Sequence, residues 1–296
     1  MRCDHTGMRW PPGLDPDHLP GHEVGVVLWS GDGMGVHAYH GHYEPFPWSA
    51  PSRPTNVWGI TLAKRGAYGR RASDVEQVVD VNTGFFRRPG EEVAVRMFQE
   101  GSDELTMIEI DPALLDVVPA LAETSGPLRV APEVDLAHRL LLRAIDDGED
   151  DLAVQSALVE LLHAGVADGG LGGRGYSRRS TEVARRCLVR ETCELLHTAD
   201  HRMGLIELAR AVGSSPFHLS RVFREITAMT LPQYRLRLRV HHALDRIAEG
   251  DEDLASVAEA AGFADHSHMT RTVVTYFGQA PSALRKLLRD SSTRSA

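Results

Sequence analysis

The chain has 296 residues, 42% of them hydrophobic and 25% charged, so it is long enough for two domains and too apolar to be disordered throughout. Its net charge of −9 argues at first against a nucleic-acid partner. The two halves differ, however. Residues 177–296 hold 18 Lys and Arg against 14 Asp and Glu, a balance of +4, whereas residues 1–176 hold 14 against 27, a balance of −13. This asymmetry predicts an acidic domain followed by a mildly basic one.

The chain shows no sign of export or membrane insertion. No apolar run reaches the roughly 20 residues of a membrane helix. Residues 1–20, a predicted N-terminal tail, lack the basic and apolar parts of a secretory signal. Cys3, Cys187 and Cys193 cannot all pair within one chain and fit free thiols, with one of the latter two buried as a small hydrophobic side chain. We therefore expect a cytoplasmic protein with no membrane partner.

Between Glu23 and Ile110, short β-branched or alternating runs are separated by Gly, Pro and Asp turns, which is typical of strands. The spacing favours a small barrel or sandwich. At Asp111-Pro112, a helix-capping residue followed by proline indicates that a helix begins. The predicted strands are Val24–Trp29, Val57–Ala63, Val78–Val81, Val93–Met97 and Leu105–Ile110.

Two leucine-rich segments follow, Pro132–Ile145 and Leu152–Val166, with the three- and four-residue spacing of helices. Their leucines cover more than one face of each helix. A small barrel cannot bury all of that surface, so we expect a second subunit to bury the rest and the protein to be a homodimer. The glycine-rich residues 169–177 then predict a linker.

One pattern occurs twice in the C-terminal part. A short apolar stripe at helical spacing is followed by a glycine, which permits a left-handed turn, and then by a second helix. The stripes are Leu205, Leu208, Ala209 and Val212 before Gly213, and Leu254, Val257, Ala258 and Ala261 before Gly262. A single helical hairpin of this kind is weak evidence, but two in tandem strongly indicate paired helix-turn-helix units.

The second helix of each pair has a predicted start and a predicted buried face. The first opens at Ser215-Pro216 and the second near Asp265. Arg221 and Arg271 fall on the solvent side of these helices, opposite the residues that we expect to face the core. Those core residues are Leu219 and Phe223 in the first helix and Met269 and Val273 in the second.

Residues Leu205–Arg285 resemble the DNA-binding domain of the AraC/XylS family of transcription regulators. The motifs that match are Leu208-Ala209, Ser215…His218-Leu219-Ser220-Arg221…Phe223, Gln233-Tyr234, Gly262-Phe263, Met269-Thr270-Arg271, Tyr276-Phe277-Gly278 and Ala280-Pro281…Arg285. The sequence departs from the family where Ala228 replaces a glycine and Val273 an aromatic residue. The resemblance implies two recognition helices in successive major grooves of promoter DNA.

Carried over position by position, the resemblance assigns DNA contacts to side chains of both recognition helices. Arg221 and Arg271 are expected to bind guanine, and Phe217 to pack on a thymine methyl group. Arg224, Arg237 and Arg239 are expected to contact phosphates or solvent. The complete set of candidate DNA-binding residues is Phe217, Ser220, Arg221, Arg224, His266, Ser267 and Arg271.

In this family a cupin-like barrel that binds a small organic effector often precedes the DNA-binding domain, followed by a helical dimerisation segment. The implied fold is α+β with two domains. The predicted boundaries are residues 21–112 for the barrel, 113–168 for the dimerisation segment, 178–290 for the all-α DNA-binding domain and 291–296 for a tail. Within the DNA-binding domain they are 205–226 and 254–277 for the helix-turn-helix units and 231–248 for a connecting helix. An activator would also contact RNA polymerase.

Two alternatives stay open. His40, His42 and Glu44 alternate, so on a strand they would share one face, as metal ligands do in a cupin enzyme fused to a DNA anchor. The glutamate comes too early and the strand after Pro89-Gly90 lacks the histidine of that motif, so we expect no metal, no cofactor and no enzyme. In the second alternative, the barrel of a DNA-binding regulator is only an interaction or dimerisation module.

Overall fold

The computed structural model describes residues 22–31, 33–51, 57–72, 75–98, 100–112, 115, 118–167, 179–198, 203–249 and 253–289. Cys3, the predicted linker and both predicted tails lie outside these residues. The chain divides into two compact units, one of Met1–Arg129 with Gly165–Leu231, the other of Val130–Ala164 with Pro232–Ala296. Among the described helices, none is long and apolar enough to span a membrane.

The first unit contains one antiparallel sheet of nine strands, in the order β1-β2-β8-β3-β6-β5-β4-β7, with β9 beside β6. The five predicted strands are present with slightly different ends, as β1, β3, β5, β7 and β8. The strands are β1 (His22–Gly31), β2 (Met34–Tyr43), β3 (Trp58–Arg65), β4 (Ala67–Ala72), β5 (Val75–Asp80), β6 (Thr83–Arg87), β7 (Val93–Arg96), β8 (Gly101–Ile110) and β9 (Gly126–Arg129).

The sheet curls into an incomplete barrel. Tyr43 on β2 and Tyr68 on β4 are five places apart in the strand order, yet both belong to one buried apolar cluster, together with Phe85. The chain leaving β2 meets the segment around β7, where Phe46 and Met97 form an isolated β-bridge. The small barrel expected from the strand spacing is therefore a strongly curved sheet with an apolar inner face.

The five predicted strands did not include β2, β4, β6 or β9. Strand β2 alternates histidine and glycine with apolar residues, and β4 contains two consecutive arginines, which is unusual in a buried strand. Arg70 is nevertheless only 1% exposed, because its guanidinium pairs with Glu91 at 2.7 Å and lies over the ring of Phe85. A buried charge of this kind depends on a partner distant in sequence.

The helix predicted to begin at Asp111-Pro112 falls partly on residues that the structure does not describe, and Pro112 lies in a single tight turn whose carbonyl accepts a hydrogen bond from the amide of Leu115 at 3.3 Å. The amide of Asp111 donates to the carbonyl of Gly33 at 2.7 Å, so Asp111 itself is still bonded to the sheet. The first α-helix among the described residues, α1 (Ala120–Glu123), has Pro119 as its N-cap. The chain then forms β9 rather than continuing as helix.

The other helices for which the sequence predicted bounds agree closely with those expectations. The connecting helix α7 and the helices on either side of it end within two residues of their predicted bounds. The helices are α2 (Pro132–Asp146), α3 (Asp151–Ala167), α4 (Arg179–Thr198), α5 (Leu205–Ala211), α6 (Pro216–Thr227), α7 (Leu231–Glu249), α8 (Leu254–Ala260), α9 (His266–Phe277) and α10 (Pro281–Arg289).

Most of the leucines offered as evidence for a dimer are buried within the single chain, although Leu140 and Leu142 are partly exposed. Leu158 and Leu161 are 0% exposed and Leu162 is 2% exposed. These three leucines therefore need no second subunit to bury them, and the dimer itself stays a prediction. The large apolar side chain of α3 that does reach solvent is Leu152, at 72% exposure.

Candidate nucleic-acid interface

The first helix-turn-helix unit consists of α5 and α6. The chain reverses after α5 at Gly213, whose φ of 65° is left-handed and suits a residue without a side chain. Ser215 then caps α6, since its hydroxyl accepts a hydrogen bond from the amide of His218, and Pro216 occupies the first turn. The predicted start of this recognition helix is confirmed.

The second unit, α8 and α9, repeats this construction. Gly262 makes the turn with a φ of 75°. Asp265 caps α9, because its carboxylate accepts a hydrogen bond of 2.7 Å from the amide of His268. Both recognition helices are twelve residues long, so each residue of α6 has a counterpart fifty positions later in α9.

One face of each recognition helix is fully buried. Leu219 and Phe223 of α6, and Met269 and Val273 of α9, are all 0% exposed, as the sequence predicted. Val273 therefore fills the position where the family has an aromatic residue. Helix α9 packs in one apolar cluster with α7 and α8 through Leu244 and other buried side chains.

The opposite face of α6 is exposed and carries most of the candidate DNA-binding residues of that helix. Phe217 is 79% exposed, an unusual environment for a large aromatic side chain in the first turn of a helix. Arg221 lies one turn further along the same face, and Arg224 is also exposed, while Ser220 is partly buried. Neither arginine pairs with a carboxylate among the residues that the structure describes.

The exposed face of α9 has a similar arrangement. His266, Ser267 and Arg271 are all exposed, and the imidazole of His266 lies 3.3 Å from the hydroxyl of Thr270. Like Arg221, Arg271 has no acidic partner within the described part of the chain. The two arginines stand at equivalent positions of the two helices, each with its guanidinium available to an external anion.

Arg237 does not contact phosphate or solvent, and that expectation is wrong. The residue is 8% exposed, its Nε donates to the hydroxyl of Tyr276 at 2.8 Å, and it also donates to the carbonyl of Val130. Burial raises the pKa of Tyr276 to about 12, so the phenol stays protonated. Arg237 therefore links α7 to α9 and to Val130, two residues before α2.

Helix α2 is joined to the connecting helix α7 by a buried ion-pair network that the sequence did not reveal. The guanidinium of Arg139 bonds Asp135 through Nε and Asp245 on α7 through Nη1, at 3.0 Å each. Burial alone would raise the pKa of Asp135, but the charges of Arg139 and His241 outweigh it and hold that pKa below its ordinary value. The four-residue spacing of Asp135 and Arg139, typical of an ion pair within a helix, was the sequence feature that could have indicated part of this network.

The sheet also holds polar groups on the face that it turns toward its apolar cluster. Arg87 on β6 pairs with Glu109 on β8 at 2.7 Å, and the imidazole of His37 lies 3.6 Å from the same carboxylate. Burial lowers the pKa of His37 against the opposing charge of Glu109. The hydroxyl of Thr61, on the strand between β6 and β8, is buried with no hydrogen-bond partner among the described residues.

The residues considered for a metal site lie elsewhere. His40, His42 and Glu44 are exposed, and His42 comes within 4.0 Å of Glu100. No group of three or more His, Cys, Asp or Glu side chains within the described ranges is close enough to hold a metal ion. Cys193 is buried and Cys187 partly so, which confirms the expectation that one of them packs as a small hydrophobic residue.

Comparison with known proteins matches residues 208–287 to the family model of a helix-turn-helix domain. The chain is 29% identical over 126 residues to the HTH-type transcriptional regulator GlxA of Rhizobium meliloti, which covers 42% of this chain and 39% of that protein. It is 36% identical over 67 residues to the HTH-type transcriptional activator RhaS of Pectobacterium carotovorum, or 23% of this chain and 24% of that protein.

Among solved structures, fatty-acid-bound ToxT from Vibrio cholerae aligns over 86% of this chain and 95% of its own, with 10% identity and a TM-score of 0.36. The chain spans about two fifths and one quarter of the length of the two curated relatives. Both of those relatives are transcription regulators, and the matched family model covers both helix-turn-helix units. Residues 208–287 thus form a helix-turn-helix domain of the type found in AraC/XylS regulators.

Proposed function

We propose that the chain is a sequence-specific transcription regulator whose two helix-turn-helix units bind double-stranded promoter DNA. The observation that carries the proposal is the pair Arg221 and Arg271, exposed at equivalent positions of α6 and α9 and without acidic partners among the described residues. A recognition helix enters the major groove with such side chains toward the bases. The proposed setting is the bacterial cytosol, and the proposed activity is regulatory rather than enzymatic.

Each candidate side chain has a chemistry that suits a base or a phosphate. An arginine can bond O6 and N7 of guanine together, and Phe217 can pack on a thymine methyl group. Ser220, Ser267 and His266 can each donate or accept a hydrogen bond. Arg224 extends from the last turn of α6, where a phosphate contact would position the helix without selecting sequence.

Selection of binding sites from random duplex DNA by the full-length chain tests this proposal. The wild-type protein should enrich a defined motif, and the double variant Arg221→Ala, Arg271→Ala should enrich none. Arg210→Ala is the matched control, because it removes one exposed arginine from α5, outside the recognition helices, and should keep the wild-type motif. Wild-type protein that is folded and enriches no motif would refute the proposal.

We further propose that the curved sheet binds a small organic effector on its inner face, without a metal. The support is the polar group of His37, Arg87 and Glu109 beside an apolar cluster, since a few polar groups in an apolar site are typical of small-molecule binding. Native mass spectrometry with elemental analysis of the purified protein separates the alternatives. An organic adduct lost in Arg87→Met supports the sensor, whereas stoichiometric metal lost on changing His40 and His42 supports the cupin enzyme.

The proposed oligomer is a homodimer, with RNA polymerase as a further partner if the protein is an activator. Because Leu158 and Leu162 are buried within one chain, changing them would unfold α3 rather than separate subunits. Leu152→Glu is the informative variant, since this side chain is 72% exposed. Sedimentation should show a dimer for the wild type and a monomer for the variant. A monomeric wild type at micromolar concentration would refute the dimer.

A further inference from the structure

Helix α4, just before the first helix-turn-helix unit, lies against the sheet within one compact unit. Arg190, Glu194 and His197 are four and three residues apart, so they share one side of the helix. Each of them bonds a charged residue of the sheet. Arg190 pairs with Glu76 on β5, Glu194 with Arg96 on β7, and His197 with Asp80 at the end of β5.

The contact of His197 with Asp80 is the most enclosed of the three. Nε2 of His197 lies 2.8 Å from Oδ2 of Asp80, and the carboxylate is 0% exposed. The other oxygen, Oδ1, accepts a hydrogen bond of 2.9 Å from the amide of Asn82, in the turn that joins β5 to β6. Strand β6 begins directly after this turn and carries Arg87 of the inner polar group at its far end. The turn therefore connects the inner face of the sheet to α4.

Another part of α4 contacts the recognition helix α6. Arg185 pairs with Glu225, and the two helices pack against each other. Val189 and Cys193, one turn apart, are 6% and 5% exposed. A single helix thus touches the proposed sensor domain through charges and the proposed DNA-reading helix on another side. Polar interfaces between domains of one chain resemble transient protein–protein interfaces, so relative motion of the domains is expected there.

We propose that α4 is a clamp through which the sheet domain restrains the first helix-turn-helix unit, with the Asp80–His197 contact as its lock. This inference rests on the DNA-binding function proposed above and assigns its regulation. In the closed state these contacts hold the acidic N-terminal half, whose charge balance is −13 over residues 1–176, beside α4 and the recognition helix α6. Helix α6 must approach the phosphates of DNA. Opening lets that charge move beyond the roughly 8 Å over which it acts at physiological salt. The open state therefore binds DNA more tightly.

Substitutions that remove the lock but keep the local shape test the clamp in the full-length chain. Asp80→Asn retains the oxygen that accepts from Asn82 but loses the carboxylate charge, and His197→Phe retains a planar ring but loses the nitrogen that contacts Asp80. Each variant should bind the selected duplex about fivefold more tightly, as an increase of the open fraction from about a tenth to about a half would produce. Amide hydrogen exchange in α4 should become faster. The double variant should gain no more than either single variant, because both break one contact.

Two further variants keep the test decisive. Glu191→Gln removes an exposed charge of α4 whose ion pair is with Arg190 of the same helix, so it should change neither exchange nor affinity. Glu76→Gln, at a partly exposed ion pair, weakens the clamp if the buried Asp80→Asn does not fold. Faster exchange in α4 with unchanged or weaker DNA binding would overturn the regulatory role, and unchanged exchange would overturn the clamp itself. A wild type that selects no DNA motif fails the proposed function instead, which is a distinguishable result.

Discussion

Ala228 and Gly278 end the two recognition helices at equivalent positions, and both have left-handed backbone conformations, with φ of 56° and 70°. Among the described residues, Ala228 is the only one other than glycine with a positive φ. An L side chain costs about 1–2 kcal/mol in this conformation. The backbone at the end of α6 is therefore strained at Ala228, whereas the end of α9 avoids this strain with glycine.

Ala228→Gly should stabilise the full-length protein by about 0.5–1 kcal/mol. The gain is smaller than the strain because glycine also gives the unfolded chain more conformational freedom. Urea unfolding followed by circular dichroism measures the change. Gly278→Ala is the matched control and should lose about 1 kcal/mol. An Ala228→Gly variant no more stable than the wild type would show that the backbone there is not strained.

Arg221 and Arg271 should specify separate parts of one DNA target. Arg221→Ala should relax base preference in one half-site and Arg271→Ala in the other, about 10 base pairs away, because successive major grooves are one helical turn apart. Each change should cost about 1–3 kcal/mol of binding free energy. Site selection with each single variant measures this. If both variants relax the same base positions, the two-groove arrangement is incorrect.

Arg224→Ala should weaken DNA binding without changing which sequence is bound, because a phosphate contact positions the helix but does not distinguish bases. The slope of log affinity against log salt concentration should decrease by about 1, the change expected for one phosphate contact. Titrations at several salt concentrations, on the selected duplex and on a scrambled one, measure both effects. A change of preferred sequence would instead assign Arg224 to base recognition.

The parts of the fold that the sequence predicted well are those determined locally. Ser215 and Asp265 cap their helices through hydrogen bonds to residues three positions away. Gly213 and Gly262 make turns whose left-handed backbone conformation depends on the glycine itself and not on a distant partner. Apolar spacing along a helix likewise identified its buried face. These signals placed both recognition helices and their exposed arginines without any knowledge of tertiary structure.

The features that the sequence did not predict correctly are those that depend on partners distant in the sequence. Arg237 was expected at the surface but is buried by Tyr276, 39 residues away, and Val130, 107 residues away. At Asp111 the amide bonds the carbonyl of Gly33 at the edge of the sheet, a partner that the local sequence does not reveal. The same local sequence pattern around a charged or capping residue is compatible with several tertiary environments. The pattern alone therefore does not determine whether that residue is buried or exposed.

Arg139→Met should destabilise the protein by about 3–5 kcal/mol, because it leaves the carboxylates of Asp135 and Asp245 buried near each other without their shared cation. Urea unfolding at pH 7 measures the loss. Lys64→Met is the comparison, since it removes a cation from Glu104 at a partly exposed pair, and such pairs contribute about 1 kcal/mol or less. Equal losses in the two variants would mean that the Arg139 network is not effectively buried.

Asp103 should make the stability of the protein depend on pH between about 4 and 6. Burial raises the pKa of its carboxyl to about 6, and neither the hydrogen bond from the Ala67 amide nor the charge of His197 offsets it. Oδ2 has no hydrogen-bond partner among the described residues. Between these pH values the carboxyl of Asp103 is protonated in the folded protein, whereas in the unfolded chain, with a pKa near 3.8, it is ionised. Its contribution to stability is greatest below pH 4, decreases as the pH rises, and is lost above about 6.

Asp103→Asn should remove this dependence, because the amide keeps one oxygen for the Ala67 bond and never ionises. Relative to the wild type, the variant should gain stability from pH 4 to pH 7 by at most about 3 kcal/mol, the equivalent of a shift of about two pKa units. Urea midpoints at pH 4, 5, 6 and 7 give the two profiles. Glu92→Gln, which changes an exposed carboxylate, should run parallel to the wild type. Parallel profiles for Asp103→Asn and the wild type would show that the carboxyl of Asp103 titrates alike in the folded and unfolded chains.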